Sequence, residues 1–259
     1  MLRFYNIKNY IQKTFRFGWF IPFSNLLIVY GRYFLPYKTL KSISDYRNNL
    51  IEGKISSIVG DISYVPITMT SDGSAKIWVL WLQGEEKMPL IPKLCLASIR
   101  KYSGLHEVVL LSWETLDNYV KLPSRIKELY DKGNISAAHL SDIIRIHLLC
   151  TYGGFWIDST VMLTSPLSEQ IFSSSFYTMK SKPEGFYVSE CRWSGFCLYM
   201  SKNHPLAQVV NSMLQNYWEK ENWLIDYFML DYLIDIACKT FPEIKPEFKL
   251  TMQQCRIHC

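Results

Sequence analysis

Hydrophobic positions change their spacing several times along the chain, and each change marks a predicted element. "KIWVLWLQG" (residues 76–84) is a short continuous apolar run closed by glycine, the pattern of a buried first strand. "HEVVLLSW" (106–113) reads as a second strand. Between them "MPLIPKLCLASIRKYS" (88–103) has helical apolar spacing, with Pro92 near its start. "LPSRIKELYDKG" (122–133) and "SAAHLSDIIRIHLLCTY" (136–152) predict two further helices. "FWI" then predicts a third strand, with Asp158 at its carboxyl end. "VMLTSPL", "SSFYTMKS" and "GFYVSE" read as short strands or continuations. "WSGFCLYMSKNHPL" leads, with His204 and Pro205 at its mouth, into the helix "LAQVVNSMLQNYWEK", and "LIDYFMLDYLIDIACKTF" (224–241) predicts the last helix. The order strand, helix, strand, helices, strand predicts an α/β domain with a mostly parallel central sheet over residues 71–259.

The first 70 residues read differently. They predict a helical extension, basic and aromatic at first, then polar over residues 41–75, with a linker ending near Gly73. Arg3, Lys8, Lys13 and Arg16 precede "FGWFIPFSNLLIVYGRYFLPYK", where no charge occurs between Arg16 and Arg32. That run is shorter than the roughly 20 residues of a spanning helix, and Pro22, Ser24 and Asn25 interrupt it. A peripheral contact with a membrane surface is the functional expectation; a helix packed on the catalytic core is the alternative.

Composition narrows the classes. The chain has 259 residues, enough for one domain with an appendage, and its formal charge of +5 comes with no basic run dense enough for nucleic acid. Seven cysteines are scattered without a C-x-x-C pair, so reduced thiols in a cytosolic protein are expected rather than a disulfide framework or a zinc site.

The chemistry gathers around "LSDIIRIHLLCTYGGFWIDST" (140–160). On a helix from about Ser136 to Tyr152, His139, Asp142 and Arg145 are spaced three apart on one face, and apolar residues fill most of the rest. Such a helix is buried, and buried charges need partners. Tyr152-Gly153-Gly154 predicts a glycine stop. Asp158 then falls at the strand edge where open α/β sheets bind ligands. Taken singly, Asp142 with Arg145 is also an ordinary intrahelical ion pair and Asp158 an ordinary turn residue. His139 and His147 read as structural, and Asp231 and Asp235 as a solvated or ion-paired face.

This segment resembles the donor-site signature of DXD-motif glycosyltransferases, closest to the capsular polysaccharide synthesis family among the mannosyltransferase-like sugar transferases. The resemblance extends to "IWVLWLQG", "KGNISAAHLSD" and "NYWEKENWLIDYF", in order over roughly residues 75–240. It implies a GT-A fold with a single Rossmann-like domain, a nucleotide-sugar donor (UDP- or GDP-hexose), Mn²⁺ or Mg²⁺, retention of anomeric configuration, and a surface glycan as acceptor, capsular or lipopolysaccharide and lipid-linked. The location implied is cytoplasmic, at the inner face of the cell membrane.

By the same resemblance Asp158 contacts metal and donor, and Asp142 accepts hydrogen bonds from the donor sugar. Arg145 presents its fork to the diphosphate or sugar. Trp81 stacks on the base with Gln83 and Gly84 beside it, and Gly153 and Gly154 belong to the donor-binding signature. Asp226 and Tyr227 line the acceptor side, Asp226 near the anomeric centre. Two departures matter. Thr160 stands where the second acid of D-x-D falls, a weaker neutral metal ligand; and at the closing "TMQQCRIHC" either His258 fills the place of the family's late metal ligand or the chain is truncated before it. An aspartyl phosphotransferase would need a threonine where Met162 stands. A catalytically silent nucleotide-sugar binder is the non-enzymatic alternative.

Overall fold

The computed structural model describes residues 7–64, 66, 75–180, 186–246 and 257–258. Three helices come first: α1 (Ile7–Phe17), α2 (Phe20–Gly31) and α3 (Tyr37–Val59). Gly18, at φ 92°, makes the break between α1 and α2 in a conformation that side chains with a Cβ rarely adopt. The linker ending near Gly73 falls mostly outside the described residues.

The predicted α/β order then appears. Strand β1 (Ile77–Leu80) is followed by α4 (Leu90–Tyr102), β2 (Val108–Leu111), α5 (Ser124–Asp131), α6 (Ala137–Thr151) and β3 (Gly154–Ile157). After β4 (Met162–Leu163) and the single turn α7 (Glu169–Phe172) come β5 (Phe176–Thr178), β6 (Cys197–Met200), α8 (Pro205–Lys220), α9 (Met229–Thr240) and β7 (Ile257–His258).

The main sheet has the order β2-β1-β3-β6-β5. β1 runs parallel to β2 and to β3, but β6 is antiparallel to β3 and β5 antiparallel to β6. The expected mostly parallel sheet is therefore corrected to a mixed one. "CLYM" is a strand buried along its whole length, not a lead-in to α8. Direction is the part a local pattern does not encode: a four-residue apolar run reads alike both ways. "GFYVSE" is a second correction. Its described part is turn, and Glu190 at its end and Cys191 after it have positive φ.

Two apolar layers sandwich the sheet. On one side Trp78, Trp156, Leu198 and Met200 face the inner surfaces of α6, α8 and α9. On the other Ile77, Val79, Phe155, Ile157 and Tyr199 face α4 and α7. The alternation along β1 and β3 is the period-two pleat, here with both faces covered. Helix α3 joins the first layer through Ile51, Ile55 and Val59. Polar ties reinforce it: Arg47 pairs with Asp226 and donates to the Tyr232 hydroxyl at 3.0 Å. Arg16 of α1 pairs with Glu221 at the end of α8, its Nε at 3.0 Å.

Candidate active site at the carboxyl edge of β3

The site begins with how α6 is started and stopped. Ser136 caps it, its hydroxyl accepting from the His139 N–H at 3.2 Å. At the far end Gly153 and Gly154 have φ of 69° and 107°, and a Cβ on either would lie 2.5 Å from backbone, Lys202 N and Lys76 O respectively. The pair lets the chain pass between β1 and the end of β6 and enter β3. Four residues of strand later, about 13 Å along at the ordinary rise, the chain reaches Asp158. The glycines are thus at the opposite end of the strand from the chemistry and line no part of the cavity described next.

Arg145 is the centre of the site. Its side chain is buried, with Nη1 donating to Asp142 Oδ1 at 2.8 Å and Nη2 to Asp158 Oδ1 at 3.2 Å. One guanidinium therefore holds the helix carboxylate and the strand-end carboxylate together, as its planar fork permits. The guanidinium lies over the Trp156 ring at 4.9 Å, and the Trp156 indole donates to the same Asp158 oxygen at 2.5 Å. Residues two apart on a strand share a face, which is why Trp156 and Asp158 meet. Oδ2 of Asp158 takes part in none of these bonds. A Cβ on Gly195 would come within 3.0 Å of Arg145 Nη1, so glycine there leaves the guanidinium its place.

Asp142 is oriented from behind. The Trp218 indole can only donate, and it donates to His139 Nε2 at 3.1 Å. The His139 proton therefore sits on Nδ1, 3.5 Å from Asp142 Oδ2, a loose electrostatic contact. His139 is buried, so its structural role in the sequence becomes a specific one: it backs the carboxylate that Arg145 grips.

These residues open on a cavity of about 390 Å³, within the range of small-molecule sites. Its wall includes Asp142, Arg145, Asp158, Tyr227 and Asp231. Asp231 is the residue that sequence reasoning missed. It is not on a solvated face: it sits in the first turn of α9, held by the Trp193 indole at 2.6 Å. Burial, reinforced by the negative charge of Asp142, pushes its carboxyl up to about 6. Asp235, one turn on, is ion-paired as expected, with Arg192 at 2.5 Å and Lys239 at 2.8 Å.

The turn 187–195 completes the wall of the cavity. Glu190 and Cys191 sit consecutively in the left-handed region, at φ 47° and 57°, an uncommon strain for residues other than glycine. Arg192 clamps the turn by donating to the Ser189 and Val188 carbonyls at 2.9 and 3.0 Å. Cys191 lines the cavity, so the strained backbone is part of the site.

The remaining predicted residues divide. Tyr227 is exposed and lines the cavity, but the Asp226 carboxylate is buried, paired with Arg47, and accepts the Phe228 N–H at 2.9 Å. It borders a neighbouring groove instead, beside Lys13, Phe17 and Ile21. Trp81, Gln83 and Gly84 follow β1 and lie on the same sheet edge as Asp158, since Trp78 is in register with Trp156. They are not in the cavity wall. His204 caps α8 through Nδ1, which accepts the Leu206 N–H at 3.2 Å; burial drives its ring down to about 4, so it is uncharged there.

For a divalent cation the donor set is sparse. Among the described residues no three His, Cys, Asp or Glu side chains cluster as a metal cage. Thr160 is exposed, two residues beyond Asp158. The His258 backbone pairs with Met162 in a separate two-stranded ladder, and nothing is described of its side chain. What is present is one carboxylate edge with an uncommitted oxygen, in a cavity holding three carboxylates and one guanidinium. That fits the sparse ligation of a cation whose other ligands are phosphate oxygens and water.

Residues 34–259 match the family described as capsular polysaccharide synthesis protein, and the chain belongs to that family. The match takes in α3 and every element of the sheet, while α1 and α2 precede it. No curated protein and no solved structure gives a match.

Proposed function

We propose that this chain is a glycosyltransferase of GT-A type that moves a hexosyl group from a UDP- or GDP-sugar to a glycan acceptor, with retention of configuration. One observation carries the reading: Arg145 bridges Asp142 and Asp158 at the carboxyl edge of a parallel strand pair, with a cavity in front of them.

In this reading the donor sugar lies in the cavity with its hydroxyls on Asp142. Arg145 holds both carboxylates and supplies positive charge where the diphosphate leaves. Transfer breaks the bond between the anomeric carbon and the diphosphate oxygen, forms one to the acceptor oxygen, and releases the acceptor proton. Asp231 takes the place of Asp226 as the acid nearest this event. Its raised pKa suits it to accept a proton near neutral pH. Asp226, locked to Arg47, has the structural role of anchoring α3. The base reaches along the sheet edge towards Trp81 and Gln83. Mn²⁺ or Mg²⁺ would be held by Asp158, with Thr160 close behind and the diphosphate oxygens completing the set; bound there, it would neutralise the leaving group.

The test is a panel of UDP- and GDP-hexoses with Mn²⁺, reading release of nucleoside diphosphate. Slow release from one donor, dependent on the cation, is expected. Binding of a donor, read by thermal shift, with turnover of none in the panel or with any glycan acceptor would favour the silent binder instead.

A further inference from the structure

The N-terminal helices carry a feature that the transfer reading does not use. From Met1 to Ser44 the chain has seven basic residues (Arg3, Lys8, Lys13, Arg16, Arg32, Lys38 and Lys41) and no acid. The other 215 residues hold 21 basic and 23 acidic side chains, so the whole positive excess of the chain lies in this segment.

Helix α2 is apolar nearly all round, yet only one side of it is covered. Ile21, Ser24 and Gly31 are buried, and Phe20 stacks edge-on against Tyr46 of α3 at 5.0 Å. On the other side Trp19, Phe23, Leu26 and Tyr30 follow one another at helical spacing and are 45–65% exposed. Phe15 on α1 extends the stripe at one end, and Tyr33, Phe34 and Tyr37 at the other, all 65–86% exposed. A patch of this kind signals an interaction surface. At its far end Arg32 and Lys38 are exposed and make no ion pair among the described residues. No helix among the described residues is long and apolar enough to cross a membrane.

We propose that the exposed face of α1–α2 docks on an anionic phospholipid surface, lying in the interface without spanning the bilayer. Trp and Tyr rings have an apolar body and a polar tip, which places them at the headgroup level. Basic side chains beside them meet the negative surface potential. The occupant is a lipid surface rather than a second copy because both partners in a copy-to-copy contact would bring the same positive charge. The covered side of the two helices borders the groove at Phe17 and Ile21, whose far wall, Tyr227, is also a wall of the main cavity. Docking there sets the cavity beside the lipid surface, whatever reaction it supports.

Flotation of the full chain with vesicles tests this. Wild type should float with vesicles of phosphatidylcholine and phosphatidylglycerol in a two-to-one ratio, and much less with phosphatidylcholine alone. Arg32→Glu with Lys38→Glu should weaken partitioning at least about 25-fold, at about fivefold for each basic residue lost. Trp19→Ser with Phe23→Ser should abolish the part that survives about 1 M salt, where screening is strong. Leu105→Ser, at a residue 97% exposed elsewhere, should float as wild type. All these positions are exposed, so thermal unfolding should be unchanged. Wild type remaining unbound to the anionic vesicles would overturn the proposal. So would a stable dimer in light scattering that the Trp19→Ser, Phe23→Ser pair dissolves.

Discussion

Asp231 shows what a single side chain contributes beyond its place in a helical pattern. Sequence periodicity puts it on the polar side of α9, which is correct, but that side faces a cavity rather than water. Its partners, Trp193 and the field of Asp142, lie 38 and 89 positions away in sequence, and no local spacing encodes them. The same holds for His139, whose role comes from Trp218 79 positions on, and for Asp226, whose partner Arg47 is 179 positions back. Asp142, Arg145 and Asp158 were legible because they are close in sequence and their helix, glycine stop and strand are each written in local residues.

The elevated Asp231 carboxyl has a thermodynamic consequence. Its folded pKa of about 6 is above the ordinary carboxylate value of 3.8, so the folded state holds the proton more tightly than the unfolded chain. The stability this contributes is complete below about pH 4 and is lost as pH rises through about 6. Asp231→Asn keeps a carbonyl for the Trp193 indole and removes the titration. Relative to wild type it should gain about 2 kcal/mol between pH 4 and pH 7 in urea unfolding. A difference between the two proteins that stays constant with pH would count against the buried, raised carboxyl.

At the scale of elements, the α6–β3 junction decides whether the site forms. Helix boundaries there were readable to within a residue, because Ser136 and Gly153 are strong start and stop signals. The fate of β6 was not readable, because its antiparallel pairing is decided by the return path of the chain from the strained turn 187–195. Gly153 joins the two lessons: its positive φ is a local signal, but the Lys202 backbone against it belongs to the segment just after β6. Gly153→Ala meets both penalties, the left-handed backbone and a Cβ 2.5 Å from a backbone nitrogen. It should cost several kcal/mol, roughly 3 or more, in thermal or chemical unfolding, beyond the cost of φ alone. A loss below about 1 kcal/mol would mean that the junction is looser than described.

For the whole molecule, the sheet edge and the charge distribution divide the work. Carboxylates gather where β3 ends, beside α6 and α9, and the basic, aromatic surface runs over α1, α2 and the start of α3. The buried Arg47–Asp226 pair and the Arg16–Glu221 pair tie these regions together through α3 and α8. In the proposed site Arg145 is a two-point clamp and Asp158 the donor-facing acid. The most direct measurement is donor turnover by Arg145→Lys and Asp158→Asn, each checked for an unchanged fold by circular dichroism. An ammonium cannot make both fork contacts. Both variants should therefore release nucleoside diphosphate at least about 100-fold more slowly than wild type, a loss of about 2.7 kcal/mol in transition-state stabilisation. Folded variants that both turn over within a few-fold of wild type would contradict the assignment of the site.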